Sequence, residues 1–239
     1  MNSTTTAETY KFRGTEFDLY IAQPENTTKP LPAIFVAHAW DGLNAPIEKI
    51  AQQVAQLGYV AVAVDVYGKG IRGNPTGDNS RLMNPLLEDR SVLRERLQAG
   101  YAAIGKIETV DATRIGAIGY CFGGLCALDL ARSVPENLKG VVSFHGGLTS
   151  NNLKDTKPIE ASILIEHGWD DPVAPLDDYL AFASEMDERK ADWQAHIHGG
   201  AMHAFTFEGA NMPENGLQYH AAAARRSWKS MVDFFDEVF

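Results

Sequence analysis

The sequence predicts an α/β fold, a mostly parallel twisted sheet with helices on both faces. Three observations carry that prediction. Short continuous apolar runs, "PAIFVAHA" (32–39), "YVAVAVDVYG" (59–68) and "ASILIEHG" (161–168), have the length and composition of strands covered on both sides. Segments of helical period separate such runs, beginning with Ile47, Ile50, Val54 and Leu57. Punctuating residues mark the joins, as Gly58 does after the first of those helices. With 239 residues, 45% of them hydrophobic, the chain has the length and core material for one domain over residues 1–239.

The elements follow in order. "EFDLYIAQP" (16–24) alternates and ends at Pro24, which suits an early antiparallel strand after a turn at Gly14. The first buried strand, the Ile47 helix and the second buried strand come next. Leu93, Leu97, Tyr101 and Ile104 space out a second amphipathic helix. "RIGAIGYC" then reads as a strand, "GLCALDLARS" as a helix, and "LKGVVSFHG" and "ASILIEHG" as strands. Leu176, Tyr179, Leu180, Ala183 and Met186 form a helical face, "WQAHIHG" the last strand, and Trp228, Met231, Phe235 and Val238 the buried face of a C-terminal helix. Residues 68–89, rich in Gly, Pro and Asn, read as irregular, either a lid or pocket wall over the strand ends or a surface excursion.

Charge and cysteine content narrow the function. A net charge of −10 opposes nucleic acid or an anionic membrane as a partner, because like charges repel. No apolar run approaches the ~20 residues that span a bilayer. The start of the chain, "MNSTTTAETYKF", lacks the basic and apolar regions of a secretion signal. Two cysteines, five positions apart, do not make a disulfide framework. The expectation is a reduced, cytoplasmic protein acting on a small molecule without a cofactor. A homodimer stays open.

Gly119-Tyr120-Cys121-Phe122-Gly123 falls between a predicted strand and a predicted helix. With serine in the middle it would be a nucleophile elbow, a strained turn whose flanking glycines leave room for the chain to reverse. The turn aims Cys121 at a helix N-terminus, whose partial positive charge favours an anion there. Five residues alone fit a buried cysteine in another α/β protein equally well. Chain order decides. A hydrolase of this architecture needs an acid and then a histidine, each after a later strand. "ILIEHGWDDPVAP" supplies Asp170 and Asp171, and "HIHGGAMHAF" supplies His203. The candidate oxyanion donors are the backbone N–H groups of Phe122 and Trp40.

With these residues in place, the chain resembles the dienelactone hydrolase family, α/β-hydrolases with a Cys-His-Asp triad, from about residue 15 to the C-terminus. The likeness rests on "GYCFGG", "HGWDDPVAP", "GGAMHAF" and "HAWDGLN" (38–44). It implies an α/β-hydrolase fold, with Cys121 as nucleophile and His203 as base. It also implies Asp171 as acid, in the slot framed by His167-Gly168 and Pro175, with Asp170 as the fallback. The implied activity is hydrolysis of carboxylic esters or lactones through a thioester. Two positions depart from the family pattern: Ala39 stands where a glutamate is usual, and Phe207 where an arginine binds the substrate carboxylate. Arg72 and Arg81, in the irregular stretch, either face the pocket or, the reading preferred here, are solvated surface residues. With Trp169 and Phe205, the two departures suggest a pocket for small neutral or aromatic esters. The alternatives are an activated phosphotriester or thioester as substrate, and a non-catalytic ligand-binding role.

Other candidates have bland readings beside the sharp one. His196, His198 and His203 suggest zinc, but His203 lies beyond a Gly-Gly turn and no carboxylate cluster completes a site, so no metal is expected. His38 and His145 either border the cleft or are hydrogen-bonded core histidines. Cys126 reads as core.

Overall fold

The computed structural model describes residues 2–239. Eight strands make one sheet: β1 (Ser3–Phe12), β2 (Thr15–Pro24), β3 (Leu31–Ala37), β4 (Val60–Val64), β5 (Val110–Tyr120), β6 (Leu138–Phe144), β7 (Ser162–Gly168) and β8 (Trp193–His198). Their order is β1-β2-β4-β3-β5-β6-β7-β8. β1 and β2 pair antiparallel and β2 runs antiparallel to β4, while every pair from β4 through β3 to β8 is parallel.

The unbroken apolar runs are explained by cover on both faces. In β3, Phe35 joins one core layer and Ile34 and Val36 the other. Helices α1 (Ala45–Gln56) and α6 (Ala221–Val238) close the second layer. Helices α2 (Ser80–Glu88), α3 (Arg90–Ile104), α4 (Phe122–Arg132) and α5 (Leu176–Glu188) lie over the first. α1 starts where Asn44 Oδ1 accepts the Ile47 N–H at 3.4 Å, and it stops at Leu57-Gly58. α6 sits close because two strand positions lack a side chain. A Cβ at Gly116 would lie 2.5 Å from Phe235, and one at Gly140 2.7 Å from Phe234.

Three elements differ from expectation. β1 is an extra edge strand, and its mostly exposed Thr-rich sequence has no apolar alternation to announce it. The stretch 68–89 contains a helix, α2, whose Leu82, Met83, Leu86 and Leu87 pack on the core; Pro85 within it disguised the helical period. Ahead of α2, buried Asn79 closes the loop through Asn74 N–H (2.8 Å) and Asn74 C=O (2.9 Å). A small hairpin of β9 (Asn211–Met212) and β10 (Leu217–Gln218) was too short to carry a pattern.

All six parallel strands end on the same side of the sheet. That edge carries residues 38–44, 65–79, Cys121, His145, 169–172 and 199–207, where a parallel sheet places its ligand sites. Among the described residues, no helix is long and apolar enough to cross a membrane.

Candidate active site

Cys121 follows β5 directly and caps α4 with φ 56° and ψ −119°, the left-handed turn that the Gly-x-Cys-x-Gly pattern predicts. The flanking glycines are steric necessities. A Cβ on Gly119 would sit 1.9 Å from the Gly123 carbonyl oxygen, and one on Gly123 2.3 Å from that of Ala37. Phe122 is the first residue of α4, so its N–H has no acceptor within the helix and is available to a ligand. Trp40 lies half-buried in the loop after β3, where its carbonyl accepts the Tyr67 hydroxyl at 2.9 Å. Tyr67 stacks on Phe122 at 5.9 Å, tying the two donor segments together.

His203 Nδ1 donates to Asp171 Oδ2 at 2.9 Å, and both side chains are buried. The other Asp171 oxygen accepts the Val173 N–H at 2.8 Å. Asp170 is exposed and contributes only its backbone N–H, to Ala201, so the histidine's partner is Asp171 and not the fallback. Burial pushes the His203 imidazole down, but the charge of Cys121, then hydrogen bonds to Asp171 and Cys121, outweigh it and raise its pKa to about 10. The hairpin holds the backbone of the same residue: His203 N–H donates to Gly216 C=O at 2.9 Å, and Gln218 N–H to His203 C=O at 3.2 Å.

The remaining histidines divide cleanly. His38 is a core residue: Nδ1 donates to Ala39 C=O at 2.7 Å, Nε2 accepts the Val66 N–H at 3.2 Å, and burial lowers its pKa. His196 Nδ1 and His198 Nε2 donate to the two oxygens of buried Glu166, at 3.0 and 2.7 Å. The pair on β8 therefore clamps a carboxylate of β7, separate from His203. No group of three or more His, Cys, Asp or Glu able to hold a metal ion occurs among the described residues. His145 does border the site, with its ring 5.1 Å from that of His203.

The expected aromatic pocket is corrected in part. Phe205 is fully buried between His145 and His198, so it supports the loop from beneath and offers no surface to a ligand. Trp169 is 59% exposed and lines a shallow groove of about 50 Å³ with His167, Leu176, Tyr179 and Ile197. Phe207 is half-exposed, and Ala39 is half-buried, its carbonyl engaged by His38 and by the Gly42 N–H. Arg72 pairs with Asp18 at 2.8 Å, and Arg81 is exposed on α2. Two contributors escaped sequence analysis, Tyr67 and Thr206. Each meets the site across dozens of residues, and neither has a local signature.

Comparison with known proteins identifies the family and the fold. Residues 17–239 match the model of the dienelactone hydrolase family. A solved structure of a dienelactone hydrolase-like promiscuous phosphotriesterase from metagenomic libraries superposes with a TM-score of 0.94 at 33% identity, covering 100% of both chains. A Bradyrhizobium protein named a probable 2-oxo-3-(5-oxofuran-2-ylidene)propanoate lactonase is 28% identical over 225 residues, 89% of this chain and 86% of its own. An uncharacterised Caenorhabditis elegans protein is 39% identical over 152 residues, 62% of this chain and 94% of its own. An α/β sheet with its strand ends gathered around an elbow cysteine, matched over nearly its whole length, belongs to the dienelactone hydrolase family, and this chain is a dienelactone hydrolase-like hydrolase of α/β-hydrolase fold.

Proposed function

We propose that the protein hydrolyses small neutral esters or lactones through a Cys121 thiolate. The observation that carries this reading is the pairing of a left-handed elbow cysteine with a buried His203 whose Nδ1 is bonded to Asp171. The thiolate attacks the carbonyl carbon, a C–S bond forms, and the carbonyl electrons move to oxygen. The N–H groups of Phe122 and Trp40 receive that oxyanion. Its collapse expels the alkoxide, which takes the His203 proton, and leaves a thioester. His203 then removes a proton from water, whose oxygen attacks the thioester and releases the acid and the thiolate. Asp171 holds the imidazole in the tautomer and orientation both steps need.

The arginines favour a neutral substrate. Arg72 is paired to Asp18, Arg90 to Asp129 at 2.6 Å and Arg94 to Asp155, while Arg96 donates to Val66 C=O at 2.7 Å. Each is committed to the fold, and Phe207 carries no charge to replace them. Two free cysteines fit a reducing compartment such as the cytoplasm. A second reading, attack of the same thiolate on an activated phosphotriester, is favoured by the phosphotriesterase structure of the same fold.

The deciding experiment measures hydrolysis of a neutral p-nitrophenyl ester, its carboxylate-bearing analogue and a small lactone by wild type, Cys121→Ser and Cys121→Ala. The expected outcome is a preference for the neutral ester and at least ~10³-fold loss in both variants, which stay folded. Variants that match wild type would remove the nucleophile. A wild type inactive on all substrates, with an unreactive Cys121, would favour a ligand-binding role. Preference for the anionic ester would overturn the substrate class.

A further inference from the structure

His145 occupies a costly conformation beside the site. Its φ is 38°, in the left-handed region, although Gly146 and Gly147 follow it and would adopt that region without strain. The residue is buried at the end of β6, and its N–H donates to the Glu166 carbonyl at 2.8 Å. Three points of one loop converge on its ring. Nε2 lies 2.7 Å from Thr206 Oγ1, and the rings of His203 and Phe205 each meet it edge-on at 5.1 Å. Ala204, inside that loop, is also left-handed at φ 57°. Backbone strain at both sides of one contact marks a geometry that the surroundings impose.

We propose that His145 is a positioning residue: its hydrogen bond to Thr206 and its ring edge lock the loop that carries His203, so that the base faces Cys121. The inference rests on the thiolate reading above and adds a residue to it.

Burial first, and then the positive charge of His203, hold the His145 pKa well below the ordinary value, so the ring is neutral. Its Nδ1 is buried without a hydrogen-bond partner. A proton there would be an orphaned donor, so the proton sits on Nε2 and donates to Thr206 Oγ1. A neutral ring supports the His203 imidazolium without repelling it. Asp171 bonds the Nδ1 side of His203. The His145 edge braces the same ring from a second side. From sequence, His145 fits either a cleft border or a satisfied core histidine. The unpartnered Nδ1 and the contact with His203 speak for the first.

The test compares Thr206→Val, His145→Ala and His145→Gln with wild type. The valine is close in shape to threonine but cannot accept the hydrogen bond. Glutamine places an N–H donor close to the position of Nε2. Three readouts are needed: kcat and KM on the neutral ester, thermal stability, and the pH profile of Cys121 alkylation by iodoacetamide, which requires no turnover. A loosened base costs rate without costing substrate binding, so Thr206→Val lowers kcat about 10-fold and His145→Ala about 100-fold, with KM unchanged. The alkaline limb of alkylation moves to lower pH in both, and His145→Gln recovers most of the rate. A folded Thr206→Val with wild-type kcat and alkylation profile overturns the proposal, as does a glutamine variant as impaired as the alanine one. If His145→Ala does not fold, Thr206→Val decides alone. Undiminished hydrolysis by Cys121→Ala would instead sink the thiolate reading itself.

Discussion

Cys121 is held largely by its neighbours in sequence, His203 by residues far from it. The elbow needs Gly119, Gly123 and the N-terminal turn of α4, where the Gly124 and Leu125 N–H groups donate to Cys121 C=O at 3.0 and 3.3 Å. A single backbone bond, Cys121 N–H to Phe144 C=O at 3.0 Å, fastens it to the next strand. The His203 loop has local turns, Ala201 N–H to His198 C=O and Phe207 N–H to Ala204 C=O, but His203 itself is held from afar. Its side chain is bonded to Asp171, 32 positions away, and Thr206 to His145 across 61 positions. Its backbone leans on the β9–β10 hairpin, and His220 N–H donates to Phe205 C=O at 3.0 Å. One turn can present Cys121 because the constraint is steric and short-ranged. The direction of the His203 ring comes from several elements at once.

The difference can be broken most sharply at the elbow. Gly119→Ala drives a Cβ to 1.9 Å from the Gly123 oxygen, inside a strand–turn–helix unit that cannot yield without moving the core. The expected loss is on the order of 4 kcal/mol or more, read as a lowered urea midpoint or a failure to recover folded protein. A variant with the wild-type midpoint would show that the elbow is looser than its geometry.

The loop side should lose function before stability. Asp171→Asn keeps the shape but offers His203 a different partner and tautomer, and activity should fall by roughly 10²-fold or more with the fold retained. Asp170→Asn, at an exposed carboxylate, should change activity little. Equal effects of the two substitutions on ester turnover would mean that the acid is shared.

The subtlest expected change is electrostatic. The groups that act on the His203 charge are Cys121 and Asp171, which raise its pKa, with His145 and His167 as nearby imidazoles. Removing the thiol in Cys121→Ala deletes the largest raising influence and leaves burial less opposed, so the His203 pKa should fall from about 10. NMR titration of the imidazole in both proteins reads this directly, and an unchanged value would uncouple the pair. The sign for stability follows. A pKa raised in the folded protein adds stability that is complete below the ordinary histidine value near ~6.5 and is lost as pH rises through about 10. The wild-type advantage over Cys121→Ala should therefore shrink toward the alkaline end.

Much of this was legible in residues alone. Continuous apolar runs announced the parallel strands because burial on both faces forbids polar positions, and the elbow announced itself because only glycine fits beside it. The placement of Cys121, Asp171 and His203 after β5, β7 and β8 was legible as well. The aromatic pocket was misjudged at Phe205, where a large apolar residue next to a motif turned out to be loop support. α2 was hidden by Pro85 and β1 by its threonines, because neither has the apolar period that burial imposes.

Residue pattern alone dictated the layered α/β architecture, the strand–turn–helix that presents Cys121, and the placement of His203 after the last parallel strand. Those follow from the period of apolar residues and from glycine sterics, which act over a few positions. Asp171 rather than Asp170 meets His203, Arg72, Arg90 and Arg94 enter ion pairs, and His145 reaches the His203 ring, only through the tertiary fold. Hydrogen bonds and charge pairs form between whichever groups the fold makes neighbours, and separation along the chain carries no record of them.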